Sequence, residues 1–231
     1  NLPMYENRYV MDRNLGAKGY RKSDGYEAST GLIYQFGRKD PFPTGDSVVR
    51  FPDGTVRVTK QSGEGIYIYN SVISPLTYYY KDGDWTVEDT YDLYSWNDLN
   101  REAVNGHGKS FFDPCPPGWQ LPDYMIWNGL DSADRTDWTG GSSNAGWMID
   151  LNASAEDEES AYFPASGMRN RNNGNYTDKG GVGAMWSASV SAGTKKVIYL
   201  YYDSTRVLPK QNAPYRAMGL PVRCITERGR R

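Results

Sequence analysis

The chain has 231 residues, and its tyrosines (19) far outnumber its phenylalanines (6) and tryptophans (7), which suits a large half-exposed surface. A formal net charge of −2 argues against the basic face of a general nucleic-acid-binding protein, so we expect no nucleic-acid partner. No apolar run approaches the roughly 20 residues of a membrane-spanning helix, so we expect no membrane span in this chain.

The N-terminal third predicts one strand and one short helix. The segment "RYVMDRNLGA" (8–17) is typical of a strand that enters a turn. The segment 29–43 predicts a helix, with Ser29 or Thr30 as its N-cap and with Gly37 and Pro41 ending it. One face of this helix would carry three apolar side chains, Leu32, Ile33 and Phe36.

The segment from about 46 to 92 is polar and rich in turn residues. We interpret it as an insertion of long loops and hairpins within one domain. Two stretches in it, 55–60 and 65–72, alternate apolar and polar residues with a period of two, which predicts strands.

The C-terminal half predicts a second helix at 122–134, with Asp123 as its N-cap. Its inward-facing side chains would be Ile126, Trp127 and Leu130. Residues 150–160 predict an exposed acidic loop, and 195–204 give the strongest strand pattern. Two short helices with many strands predict an α+β fold in one domain, 1–231. Because the chain begins at Asn1 rather than at methionine, we expect it to be the C-terminal part of a longer protein.

Several catalytic and metal-binding patterns can be set aside. Asp82 and Asp84 begin like a calcium-binding EF-hand loop, but Val87 and Leu93 stand where that loop needs glycine and glutamate, so a solvated acidic turn is favoured. His107 is the only histidine, which argues against a zinc site. No nucleophile motif or phosphate-binding glycine loop occurs, and we expect neither an enzyme nor a cofactor.

The two cysteines, Cys115 and Cys224, are 109 residues apart. In an oxidising compartment they would most simply form a disulfide bond with each other. Two buried, reduced thiols in a cytosolic protein remain the alternative at this point.

Six motifs, in this order, resemble one bacterial family: "MDRNLGA" (11–17), "GLIYQFGRKDPFP" (31–43), "DPCPPGWQLP" (113–122), "FPASGMRN" (163–170), "WSAS" (186–189) and "YRAMGLPVRC" (215–224). The pattern is similar to that of the Fibrobacter succinogenes major paralogous domain family. It also resembles C-type-lectin-fold domains at the tips of fimbriae and the variable proteins that diversity-generating retroelements modify. Leu220-Pro221 and Met185 depart from it.

The resemblance implies a C-type lectin fold, with terminal strands paired at the base and a small twisted antiparallel sheet above two helices. It implies a Cys115–Cys224 disulfide bond that ties the middle of the chain to its closing strand. Trp96-Asn97-Asp98 matches the calcium motif of sugar-binding C-type lectins, but it precedes Cys115, so we expect no metal site. Related formylglycine-generating enzymes need a reactive cysteine pair, which a structural disulfide bond would exclude.

The resemblance also implies that Leu200 and Tyr202 face the core, while Tyr199 and Tyr201 face the ligand. A second core layer is the alternative for these two tyrosines. Polar loops at 169–181 and 204–216 would complete a face rich in Tyr, Asn and Arg, the residue types that recognition surfaces favour. The predicted ligand-binding residues are Met168, Arg171, Asn173, Tyr176, Tyr199, Tyr201, Arg206, Lys210, Asn212 and Tyr215.

The expected function is adhesion at the cell surface or outside the cell, through metal-independent binding of a host or bacterial surface protein or glycan. A retroelement-diversified receptor-binding protein of a gut bacterium or phage is the nearest alternative. An enzyme of the formylglycine-generating type and a purely structural pilus subunit are alternatives of other classes.

Overall fold

The structure is a computed structural model, and it describes residues 8–44, 48–51, 54–87, 96, 109–131, 133, 135–136, 138, 143–150, 160–190, 196–213 and 215–227. Within these residues strands predominate. The two α-helices are short, α1 (Tyr26–Ser29) and α2 (Ile68–Ile73), and 3₁₀ turns occur at Lys22–Asp24 and Tyr124–Trp127. The part of the chain that the structure describes is therefore α+β, as predicted.

The strands form several small sheets. In chain order they are β1 (Ile33–Gln35), β2 (Val48–Phe51), β3 (Gly54–Arg57), β4 (Thr59–Ser62), β5 (Thr77–Tyr80), β6 (Trp119–Gln120), β7 (Arg135–Thr136), β8 (Gly146–Asp150), β9 (Ser160–Pro164), β10 (Met168–Arg169), β11 (Tyr176–Thr177), β12 (Val182–Val190), β13 (Val197–Asp203), β14 (Val207–Ala213), β15 (Gly219–Pro221) and β16 (Ile225–Thr226). The larger sheets have the orders β1-β15-β10-β11, β12-β13-β14 and β7-β8-β9. Their pairings are antiparallel, whereas β4 and β5 form a parallel pair.

The sheet β12-β13-β14 lies between two core clusters. One cluster contains Trp186 and Tyr199, and the other contains Leu200, Tyr202 and Phe163. The strand predicted at 195–204 is confirmed as β13, and its side chains alternate between the two clusters. Trp186 is fully buried and donates its indole N–H to the carbonyl of Tyr34, 2.8 Å away. The sheet therefore has a core on each of its two faces.

The N-terminal segment runs beside the end of the chain. Val10 forms an isolated bridge with Ile225, and the amide of Met11 donates to the carbonyl of Cys224 over 2.9 Å. The amide of Leu15 donates to the carbonyl of Val222 over 2.7 Å. The prediction of a continuous strand within 8–17 is therefore wrong, because this segment makes one bridge and a few separate hydrogen bonds instead of a regular strand pairing. The start of the described chain is still held beside its end by these contacts.

The helix predicted at 29–43 is wrong. Helix α1 ends at Ser29, and Thr30 caps its C-terminus, with its hydroxyl donating to the carbonyl of Tyr26. Gly31 has a φ of 77°, and a Cβ there would lie 2.5 Å from the carbonyl oxygen of Leu15, so only glycine can make this turn without strain. The chain then continues as β1, which pairs with β15.

The other local predictions have mixed outcomes. The stretch 55–60 is extended, as β3 and β4, whereas 65–72 is not a strand because it contains most of α2. The helix predicted at 122–134 is only a 3₁₀ turn, Tyr124–Trp127. Asp123 caps it as predicted, accepting a hydrogen bond from the amide of Met125 over 2.9 Å. Its three predicted core side chains are all buried, Ile126, Trp127 and Leu130.

The disulfide bond between Cys115 and Cys224 is present, as predicted. Asp113 anchors the loop around it, because its carboxylate accepts hydrogen bonds from the amides of Cys115 (2.7 Å) and Leu121 (2.9 Å). The ammonium group of Lys109 donates to the carbonyls of Cys115, Pro116 and Trp119. The proline-rich loop is therefore fixed by a covalent bond and by two side chains that precede Cys115, Lys109 and Asp113.

Some sequence predictions fall on residues that the structure does not describe. His107, Leu93, Asn97 and Asp98 lie outside the described residues, as does most of the acidic loop, 151–159. Trp96 is described and is buried, with its ring centroid 4.7 Å from that of Phe36.

Candidate functional site

The tyrosines of β13 differ in exposure. Leu200 and Tyr202 are fully buried on one face, as the resemblance implies. Tyr199 lies on the opposite face with 8% of its surface exposed and packs edge-to-face on Trp186, with 6.0 Å between ring centroids. Tyr201 is half-buried on that same face. Tyr199 therefore belongs to a second core layer, and Tyr201 is the more accessible tyrosine.

Arg171 joins two distant segments beside these tyrosines. Its guanidinium carbon lies 3.6 Å from the ring centroid of Tyr215, a cation–π stack. Its Nε donates to a carboxylate oxygen of Asp82 over 2.8 Å. Because the guanidinium is held on a ring and by a carboxylate, its orientation is restricted before any ligand arrives.

A second arginine lies beside Tyr201. The Nε of Arg206 donates to Asp203 over 3.1 Å, and its guanidinium carbon lies 5.7 Å from the Tyr201 ring centroid. The Tyr201 hydroxyl donates to the same carboxylate over 3.3 Å. Slight burial opposes ionisation of Asp203, but hydrogen bonds from Thr205 and Arg206 outweigh it and lower its pKa to about 2. Asp203 is therefore ionised at neutral pH and orders both neighbours.

These groups form one surface, which we call the aromatic–arginine patch. Burial raises the pKa of Tyr199, and the nearby Tyr201, Arg171 and Tyr215 also influence it, the charge of Arg171 in the opposite direction. Met168, Tyr201 and Tyr215 pack against the core cluster that contains Tyr199. The patch comprises six of the predicted ligand-binding residues, Met168, Arg171, Tyr199, Tyr201, Arg206 and Tyr215.

The remaining four predicted residues lie elsewhere. Lys210 places its ammonium group 4.6 Å from the ring centroid of Tyr124, and Asn212 pairs with Ile198. Both therefore lie on the face opposite Tyr199. Asn173 is exposed and accepts a hydrogen bond from the amide of Asn175, while Tyr176 is buried and its hydroxyl donates to the carbonyl of Ser166.

Sequence reasoning missed the arginine partners of Asp82 and Asp84. Asp82 and Asp84 were predicted to form a solvated acidic turn. Asp82 is exposed, as predicted, and Asp84 is half-buried, but each of them also contacts an arginine from another segment. Asp84 lies 3.7 Å from the Nε of Arg216, whose guanidinium carbon stacks 5.3 Å from the ring centroid of Phe36. The alternating aspartates were the available signal, but the sequence does not show which basic residues, over 80 positions away, would meet them.

Within the ranges given above, no cluster of three or more His, Cys, Asp or Glu side chains is arranged to hold a metal ion. The same ranges contain no helix that is both long enough and apolar enough to cross a membrane. The side chains of the patch offer stacking on aromatic rings and hydrogen bonding to charged groups.

Comparison with known proteins does not assign the chain to a family. No protein-family model, curated protein or solved structure matches it. Its functional interpretation therefore depends on the side chains that the fold brings together.

Proposed function

We propose that the chain is a recognition domain with a C-type lectin fold, displayed at the cell surface or secreted. It binds a protein or glycan non-covalently through the aromatic–arginine patch, and it uses no metal ion or cofactor. The proposal extends the resemblance found in the sequence to the surface that the described residues form.

Three features of the chain support the proposed fold. The segment at residues 10–15 hydrogen-bonds to residues 222–225 near the end of the chain. The Cys115–Cys224 bond ties the middle of the chain to that same end. A small antiparallel sheet, β12-β13-β14, carries the tyrosines of the patch.

The observation that carries the proposed function is the position of Arg171, stacked on Tyr215 and paired with Asp82. An arginine that is already ordered loses little conformational freedom when a ligand docks on it. Tyrosine rings add contact area at a similarly low entropic cost. Arginine and tyrosine are also the residue types that are enriched at the centres of binding surfaces, and here they lie together with Tyr199 and Tyr201.

The alternatives differ in how well the chain supports them. Both cysteines are bonded to each other and are almost fully buried, which disfavours an enzyme that needs a reactive cysteine pair. A retroelement-diversified receptor-binding protein would use the same patch, so it remains a special case of the proposal. A structural pilus subunit would bind no soluble ligand, so the screen described next distinguishes it from a recognition domain.

The proposal is tested by screening the purified chain on glycan and surface-protein arrays, with calcium and with EDTA. We expect at least one ligand whose binding survives EDTA and is lost in the Tyr201→Ala/Tyr215→Ala double variant. Tyr9→Ala/Tyr20→Ala removes two exposed tyrosines outside the patch and is the matched control. Binding that EDTA abolishes, or that the double variant retains, contradicts the proposal, as does the absence of any ligand.

A further inference from the structure

A polar cleft lies apart from the aromatic–arginine patch, between helix α1 and the turn that follows β11. It consists of two adjoining hollows of about 500 and 300 Å³, and both are lined by Tyr26, Glu27 and Lys179. Ser143 and Asn144 line the larger hollow, and Tyr176 lines the smaller one. Hollows of this size accommodate a small molecule, and none of their lining residues belongs to the patch.

The walls of this cleft are fixed by backbone contacts. The amide of Tyr26 donates to the carbonyl of Ser143 over 2.6 Å, which joins α1 to the opposite wall. The amide of Gly180 donates to the carbonyl of Ala165 over 2.9 Å. Asp178, just before Lys179, has a φ of 60°, the one positive φ at a non-glycine residue in the described ranges. Aspartate adopts this left-handed conformation more readily than most residues, and here it forms the turn that places Lys179 at the cleft.

Two opposite charges that line both hollows of the cleft, those of Glu27 and Lys179, are not paired with each other. No salt bridge within 4.0 Å joins Glu27 to Lys179, nor either of them to another described residue. The ammonium group of Lys179 lies 4.9 Å from the ring centroid of Tyr176. Asp24 also lines the larger hollow, and Oδ2 of its carboxylate accepts hydrogen bonds from the amides of Tyr20 and Arg21.

We propose that this cleft is a second binding site, which takes a small zwitterion such as a free amino acid or a dipeptide. The carboxylate of the ligand binds Lys179, its ammonium group binds Glu27, and the rest of the molecule lies against Tyr26. A ligand with a single charge would pair with only one of the two groups, so a zwitterion complements the cleft better. This site goes beyond the proposed function, because it does not require the patch to bind anything.

The test is an NMR titration of the ¹⁵N-labelled chain, following the backbone amides of Tyr26, Asn144 and Lys179. The zwitterionic probes are the free amino acids and glycylglycine. Acetate and ethylammonium carry a single charge each, and glucose carries none. We expect at least one zwitterion to shift these amides and to bind about tenfold more tightly than either single-charge probe, as one additional charge-assisted hydrogen bond would give.

Matched variants connect that binding to the two charges. Glu27→Gln and Lys179→Met each weaken binding of the zwitterion by about tenfold. Glu64→Gln and Lys18→Met remove the same charges at exposed positions outside the cleft and leave the affinity unchanged. The proposal is overturned if no zwitterion shifts these amides, if acetate, ethylammonium or glucose binds as tightly, or if the two cleft variants bind like the unaltered chain. Because the array screen tests the patch separately, failure here leaves the proposed function standing.

Discussion

At the scale of single residues, a bulge decides which predicted side chains reach the patch. Tyr199 pairs with Gln211 but Tyr201 pairs with Leu208, so β14 contains one extra residue opposite Leu200. Pro209 lies in this bulge, as expected for a residue that cannot donate to a strand ladder. Because the extra residue changes which side chains share a face, Lys210 and Asn212 lie opposite the patch. Alternation within a single strand could not predict this.

Asp113 makes stability depend on pH. Burial raises its pKa to about 6 from an ordinary value of 3.8, against the opposing effect of two backbone hydrogen bonds and of Lys109. Since the pKa is higher in the folded than in the unfolded chain, this contribution to stability is present in full below pH 3.8. It is lost as the pH rises through 6. We expect Asp113 to lower the free energy of unfolding by about 2 kcal/mol between pH 4 and pH 7.5.

Urea unfolding of Asp113→Asn across that pH range measures the effect. The variant, which cannot ionise at this position, should lose less stability than the unaltered chain as the pH rises. Asp131→Asn, at an exposed carboxylate, is the control and should keep the original pH profile. Parallel profiles for Asp113→Asn and the unaltered chain would show that the carboxyl at 113 titrates alike in the folded and unfolded states.

At the scale of elements, two segments have patterns that suit helix and strand alike. Residues 65–72 alternate apolar and polar residues, yet α2 forms there because Ile68 and Ser71, three residues apart, share its buried side. The amide of Tyr67 also donates to the side chain of Asn70 over 2.8 Å, which satisfies a free amide at the helix start. The capping contact, rather than the apolar pattern, distinguishes the two structures.

Segment 29–43 shows the opposite case. Its apolar residues fit a helical spacing, but Ile33, Tyr34 and Gln35 are all buried, as in a strand covered on both faces. Gln35 donates its amide to the carbonyls of Tyr79 (2.8 Å) and Ala217 (3.2 Å). These partners lie 44 and 182 positions away, so the local sequence could not indicate a strand here.

The capping residue Asp123 was predicted correctly, and its contribution can be measured. Asp123→Ala removes the hydrogen bond to the amide of Met125 at the start of the 3₁₀ turn. We expect a loss of about 1 kcal/mol in the free energy of unfolding, measured by urea denaturation. Asp123→Asn keeps an acceptor oxygen and should recover most of it. Equal losses in both variants would contradict a capping role.

At the scale of the whole molecule, contacts between distant segments hold the chain together. The motif around Cys115 and the motif that ends at Cys224 are bonded to each other, which the family resemblance predicted. The α+β class could likewise be predicted from composition and pattern. The division into several small sheets could not, because some of them pair strands that are far apart in sequence, as β1 and β15 are and as β6 and β16 are.

Removal of the disulfide bond should destabilise the chain strongly. It closes a loop of 109 residues, and the Cys115→Ala/Cys224→Ala variant should lose roughly 2–5 kcal/mol in the free energy of unfolding. Urea unfolding with and without a reductant measures the loss. A reductant should destabilise the unaltered chain and leave the double variant unaffected. An unaltered chain that is insensitive to complete reduction would contradict a stabilising role for the bond.

The most direct measurement is calorimetric titration, in EDTA, of the ligand that the array screen yields against two arginine variants. Arg171→Ala removes the stacked and ion-paired arginine of the patch. Arg13→Ala removes an arginine that is likewise paired with an aspartate, Asp12, and stacked on a tyrosine, Tyr20, but lies outside the patch. We predict a dissociation constant at least about tenfold higher for Arg171→Ala and an unchanged one for Arg13→Ala. Equal affinities for both variants and the unaltered chain would contradict the claim that the aromatic–arginine patch is the binding surface.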